Sequence, residues 1–315
     1  MSDPLTMEQL EWLAARFEFS TASLLPVHGS RRSFVLLTGS SDKRLALIDD
    51  DPDQFQRYLS RTKLFQMLGL RVPALYDADE ALGVLLVEFL NGQLLEEVFH
   101  RGEDYKTAYR QVIEVLAAWQ GKWDAAGIND ADLQVYTAEF ARAETRYFQR
   151  CFLGDYLNLP ESQVIALDSR FDELANNAAD IPRTFIHRDF QSQNIIIGPD
   201  GTPGFVDYQS AMVAPETYDL ASLLYDNYVS LTSAEKTELL DYFLSLRPQV
   251  QRDDFHAAAL QRVFQALGAY GNLSVNQGKQ QYIEYIPQGL THLRQLAEHF
   301  PWVKEELLPR LSFGV

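Results

Sequence analysis

A single cysteine, Cys151, occurs in the 315 residues. An intrachain disulfide and a cysteine-rich zinc site are therefore excluded. No Cys-His-Asn spacing surrounds it, so it reads as a core residue. Basic residues are scarce as well: 27 Lys+Arg stand against 44 Asp+Glu, a formal charge of −17. Nucleic acid and anionic membrane surfaces demand a basic footprint, so neither is expected as a partner. Long hydrophobic runs are missing. The longest, residues 81–87, is far short of the ~18 residues of a membrane span. Residues 1–19 lack the basic-then-apolar order of a secretory signal, and a cytoplasmic protein is the expectation. Common catalytic signatures are absent too. Gly278-Lys279 is followed by Gln280 and has no glycine at the Walker A distance. There is no G-x-G-x-x-G, no G-x-S-x-G and no H-E-x-x-H, and the six histidines show no metal spacing.

What is present is ordinary globular composition, 46% hydrophobic and 23% charged. The length suggests about two domains. Residues 1–90 read as a small strand-rich part. Strands are expected at 34–38 and 45–48 around the turn Gly39–Asp42, and at 72–76 and 84–89. Asp49-Asp50-Asp51-Pro52-Asp53 precedes a helical pattern over 55–68. The acids there read as caps and first-turn charge rather than a metal site. Residues 91–315 read as mostly helical, with helices expected at 105–119, 133–152, 162–177, 220–229, 234–246, 253–270, 280–300 (broken at Pro287) and 302–311. One hairpin interrupts them: Ile195–Ile197, a Gly/Pro-rich turn, and Phe205–Asp207.

The informative stretch is His187-Arg188-Asp189-Phe190-Gln191-Ser192-Gln193-Asn194. It fits the phosphotransferase loop H-R-D-x-x-x-x-N at every fixed position. Asn194 opens the hairpin and Asp207 closes it, so antiparallel pairing is expected to bring an amide oxygen and a carboxylate together. Such a hard pair suits Mg²⁺ held with nucleotide phosphates. Asp189 is then the carboxylate that accepts the proton of the attacking hydroxyl. His187 reads as a packing residue of the loop. Asp219 reads as a helix cap and, compatibly, as a brace for the loop.

These residues resemble the aminoglycoside phosphotransferase / choline kinase family, and most closely its bacterial anomeric sugar kinases. Supporting phrases are His187–Asn194, Pro203–Gln209, Pro215–Leu223, Gly69–Pro73, Glu88–Leu90 and elements of Leu267–Pro287. The resemblance implies an α+β, protein-kinase-like two-lobed fold with an N-lobe at 1–90 and a C-lobe at 91–315. It implies an ATP- and Mg²⁺-dependent kinase of a small molecule, with the anomeric hydroxyl of N-acetylmuramate or N-acetylglucosamine as acceptor. An aminoglycoside or aminoalcohol kinase, or a pseudokinase module, is the alternative. Nucleotide contacts are expected from Gly29, Ser30, Arg31, Arg32 and Ser33, and from the main chain near Glu88 and Leu90. Tyr270, Asn272 and Tyr282 fall where the family builds its acceptor site. Two departures stand out. Residues 45–48 carry no Lys and the following helix no Glu, so an arginine, Arg31 or Arg32, is the candidate replacement. Ser210 stands where the sugar kinases carry an acid.

Overall fold

In the computed structural model, which describes residues 5–25, 32–102, 104–128 and 132–311, the first sheet is antiparallel and runs β1-β2-β3-β5-β4. Its strands are β1 (Thr21–Leu24), β2 (Ser33–Thr38), β3 (Lys43–Ile48), β4 (Leu75–Asp79) and β5 (Val84–Glu88). Val35 and Leu37 alternate with less buried neighbours, which gives β2 one core-facing side. Helix α1 (Met7–Ala14) closes that side, and Trp12 and Leu13 pack with Val35, Leu37, Ala46, Val84 and Leu86. Strand β3 starts two residues before the expected 45 and so includes Lys43 and Arg44 at its outer end.

Helix α2 (Pro52–Met67) is capped by Asp51, which accepts the N–H groups of Asp53 (3.0 Å) and Gln54 (3.2 Å). The aspartate run is thus largely a helix start. Among the described residues no group of three or more His, Cys, Asp or Glu is arranged to hold a metal. A second, three-stranded sheet contains β6 (Gln93–Leu94), β8 (Ile195–Ile197) and β9 (Pro203–Phe205), in the order β6-β8-β9. Residues 194–210 group with residues 1–94 as one compact unit, and 95–193 with 211–315 as another.

The second unit is helical: α3 (Leu95–His100), α4 (Tyr105–Ala126), α5 (Ala138–Phe148), α6 (Glu161–Ile165), α7 (Asp168–Asp180), α8 (Tyr218–Leu224), α9 (Ser233–Leu246), α10 (Arg252–Gly271), α11 (Ile286–Leu296) and α12 (Leu308–Leu311). A strand pair, β7 (Arg183–Ile186) and β10 (Met212–Pro215), lies among them. Helix α5 continues as a π-helix over Gln149–Tyr156. The crossing of α10 over that segment requires glycine: a Cβ on Gly271 would sit 2.3 Å from the Cys151 carbonyl oxygen. Pro287 falls in the first turn of α11, where proline is tolerated, and a 3₁₀ turn over Gln280–Tyr285 precedes it. No described helix is long and apolar enough to cross a membrane.

Candidate active site

Strand β7 delivers the chain to His187. Its partner β10 is in register at Ile186↔Met212, and Trp119 Nε1 donates to the Phe185 carbonyl at 3.0 Å. From there the loop is held by buried carboxylates. Asp219, at the start of α8, accepts the main-chain N–H groups of His187 at 2.7 Å and Arg188 at 2.9 Å. Burial pushes the Asp219 carboxyl up to about 7, and the two amide donors oppose that rise. Asp226, just past α8, accepts the N–H of Ser192 at 2.7 Å and of Tyr228 at 3.0 Å. Burial raises its carboxyl, and these donors again work against the rise. His187 is fully buried with its ring edge-on to Phe190.

Asp189 sits in the turn that these braces define, where Gln191 donates its N–H to the Asp189 carbonyl at 2.9 Å. Arg262 of α10 reaches the same loop. Its Nε donates to Ser222 Oγ at 2.9 Å and its Nη2 to Gln191 Oε1 at 3.4 Å. Asp226 and Arg262 lie outside the loop in sequence and carry no local signature, so the motif alone did not point to them.

On the first unit, the hairpin is built as expected. Ile195 pairs with Phe205, and the N–H of Val206 donates to the Asn194 carbonyl at 3.0 Å. Asn194 and Asp207 therefore lie at the same open end of the hairpin. Asp207 adopts φ of 63°, and Arg188 adopts 76°; with Asn158 they are the described non-glycine residues in the left-handed region. Two of those three fall in the two motifs, and unfavourable backbone conformations tend to persist where function demands a geometry. Beside Asp207, Gln209 donates Nε2 to Asp207 Oδ1 at 2.8 Å, and its buried Oε1 has no hydrogen-bond partner among the described residues. Uncharged and anionic oxygens thus gather at this end. That donor set fits a hard divalent cation which takes one or two protein oxygens and completes its shell with phosphates and water.

The nucleotide-contact expectations divide. Gly29, Ser30 and Arg31 lie outside the described residues. Ser33 begins β2 opposite Ile48. Arg32 is buried; its Nε donates to Asp49 Oδ2, and its Nη2 to Gln54 Oε1 of α2 at 3.3 Å. A guanidinium and a carboxylate are therefore paired in the strand unit although residues 45–48 lack lysine. Lys43 lies instead at the outer end of β3, its Nζ 5.7 Å from the centre of the Phe89 ring. The Glu88 carboxylate is committed to Arg71 and to the N–H of Ala74, and the Arg71 hydrogen bonds hold its carboxyl below the usual range. Leu90 is buried, yet its main chain makes no hydrogen bond to another described residue. A donor and an acceptor are thus available there for a planar ring edge.

Tyr270 and Tyr282 are brought together with ring centres 6.1 Å apart, and Tyr285 joins them. Both are buried, and the Tyr270 hydroxyl accepts Asn227 Nδ2 at 3.2 Å. Asn272 is separate from that stack. Its Oδ1 accepts Asn276 Nδ2 at 3.2 Å.

Comparison with known proteins agrees with this geometry. The chain is 27% identical, over all of its length and 99% of the relative's, to a Pseudomonas aeruginosa protein described as N-acetylmuramate/N-acetylglucosamine kinase. The choline kinase LicA from Streptococcus pneumoniae has the same fold: TM-score 0.64, 15% identity, 93% of this chain and 99% of that one. So does a streptomycin–ATP–APH(2″)-IIa ternary complex, with TM-score 0.65 and 14% identity over 90% of this chain and 97% of that one. The fold is thus the kinase-like α+β fold. The sequence model of the phosphotransferase enzyme family matches residues 25–259, and the chain belongs to that family.

Proposed function

We propose that this protein is an ATP- and Mg²⁺-dependent kinase that phosphorylates the anomeric hydroxyl of an N-acetylated hexose, N-acetylmuramate or N-acetylglucosamine. The observation that carries the chemistry is the loop His187–Asn194 with its main chain held by Asp219 and Asp226. The acceptor reading rests on the full-length likeness to the Pseudomonas aeruginosa kinase.

The acceptor hydroxyl gives its proton to the Asp189 carboxylate as its oxygen bonds to the γ-phosphorus. The bond from γ-phosphorus to the β–γ bridging oxygen breaks, and ADP leaves with that electron pair. A hemiacetal hydroxyl is more acidic than an ordinary alcohol, so a carboxylate suffices as acceptor. Asn194 and Asp207 are the residues that would hold Mg²⁺, which neutralises charge on the β/γ oxygens when bound. Asp219 and Asp226 fix the loop, so Asp189 needs little reorganisation at the moment of transfer. Arg32 supplies buried positive charge on the nucleotide-covering strands, and the Leu90 main chain pairs with the adenine edge.

The test is ADP release with N-acetylglucosamine or N-acetylmuramate beside the matching 1-O-methyl glycoside. The glycoside keeps every other hydroxyl and has none free at C1. Turnover of the free sugar alone is expected. Equal turnover of both would place the attack at another hydroxyl.

A further inference from the structure

The helical unit contains a cavity of about 660 Å³ whose wall is unusual for so acidic a chain. Helix α5 and its π continuation present Ala143, Arg146, Tyr147 and Arg150 on one face, as the three- and four-residue spacing requires. Arg188 of the loop closes the cavity. Its guanidinium lies 5.2 Å from the centre of the Phe140 ring and 3.9 Å from Glu144 Oε1. Glu144 is the one carboxylate of the lining. It is buried and already accepts the Tyr136 hydroxyl at 2.9 Å, the Tyr218 hydroxyl at 3.3 Å and Gln261 Nε2 at 3.4 Å. The lining therefore carries three cations against one engaged anion, 3 − 1 = +2, in a chain of net charge −17. The Arg146 guanidinium has no ion-pair or hydrogen-bond partner among the described residues. Such charge opposes a polycationic acceptor and suits an anion, which guanidinium forks bind in bidentate fashion.

We propose that this cavity receives a carboxylate carried by the acceptor sugar, with Arg146, Arg150 and Arg188 as its partners; the assignment rests on the sugar-kinase reading above. A carboxylate or a phosphate would satisfy these arginines equally. The acceptor is favoured because Arg188 immediately precedes Asp189, one Cα step of about 3.8 Å. The Arg188 guanidinium also interacts electrostatically with the Asp189 carboxylate, so a ligand on Arg188 is close to the loop that carries the proton acceptor. The Phe140 and Tyr147 rings line the same cavity and supply flat apolar surface for a pyranose. The arginines then select for an acidic sugar over its neutral counterpart at one and the same reaction centre.

Two measurements test this. First, the ratio of kcat/KM for N-acetylmuramate to that for N-acetylglucosamine is compared in wild type, Arg150→Gln and Arg146→Gln. Hydrogen bonds to charged groups predict that the ratio falls roughly 10- to 100-fold, with partial recovery in Arg150→Lys. An unchanged ratio overturns the proposal. Second, calorimetry compares binding of N-acetylmuramic acid and its methyl ester, with and without ADP. Acid-selective binding that is lost in Arg150→Gln is expected. Equal binding of acid and ester, or no binding of either, overturns the arginine site. Acid-selective binding without turnover of any sugar instead overturns the kinase reading and leaves the site standing.

Discussion

The Asp226 carboxylate accepts the main-chain N–H of Ser192 at 2.7 Å, which ties the end of α8 to a loop 34 residues earlier in the chain. Asp226 therefore holds the loop from the far side of Asp189, as Asp219 holds it from the near side. Replacing it with Asn turns an anionic acceptor into an amide that can face one donor only. Asp226→Asn is expected to lower kcat by about tenfold or more with little change in nucleotide affinity, and to cost about 1–3 kcal/mol of stability for the unsatisfied group. Steady-state kinetics beside a denaturant titration separate the two effects. Wild-type kcat in this variant would leave Asp226 a purely structural residue.

Asp189→Asn keeps the size of the side chain but removes its basicity. The fold and ATP binding are expected to persist while kcat drops by roughly 10²–10⁴, the usual share of general-base catalysis. Near-normal turnover would remove Asp189 from the role of proton acceptor.

Asp207→Ala is expected to weaken Mg²⁺-dependent nucleotide binding more than Asn194→Ala, since only the former removes a full charge from the hairpin end. Gln209 loses its partner at the same time and is left with both ends of its amide unpaired. Titration of Mg²⁺ against a fluorescent nucleotide checks the order. Superimposable curves for wild type and Asp207→Ala would contradict the metal assignment.

Lys236 supplies the pH dependence. Its Nζ donates to His292 Nδ1 at 2.8 Å and Gln295 Oε1 at 2.7 Å, and burial lowers its pKa from 10.5 to about 7. His292 Nε2 lies 3.0 Å from the Asp226 carbonyl, so Nε2 carries the ring proton and Nδ1 accepts from the lysine. Between about pH 7 and 10.5 the unfolded chain holds a proton that the folded chain has released. Stability therefore rises with pH across this window, and below pH 7 the penalty for burying the charge is present in full. Lys236→Met is expected to flatten the dependence of Tm on pH between 7 and 10. An identical slope in the variant would refute the assignment.

The placement of much of the candidate site was readable because it is local in the chain. His187, Asp189 and Asn194 lie within eight residues, and a hairpin turn brings Asn194 and Asp207 to one end without any long-range fold. What escaped the reading arises from contacts between distant residues. Glu144 gains its meaning only when Tyr136, Tyr218, Gln261 and Arg188 surround it. Arg32 read equally well as an exposed turn residue until the fold set Asp49 and Gln54 beside it. Element boundaries failed where periodicity is shared by several helix types. The pattern over 133–152 does not announce that the helix starts at Ala138 behind the Thr137 cap, or that it widens into a π-helix at Gln149. Strands β7 and β10 are four residues each and too short to stand out from a helical background.

The close crossing of Gly271 over Cys151 makes the lone thiol a natural reporter. It is fully buried beneath α10, and the neighbouring Arg150 belongs to the cavity wall. The buried sulfur is alkylated only through a local opening, so the labelling rate counts openings of the packing around it. A ligand that binds only the closed unit lowers the population of open states and is expected to slow the labelling. Labelling with and without a ligand therefore compares local stability, with neither turnover nor an added probe site.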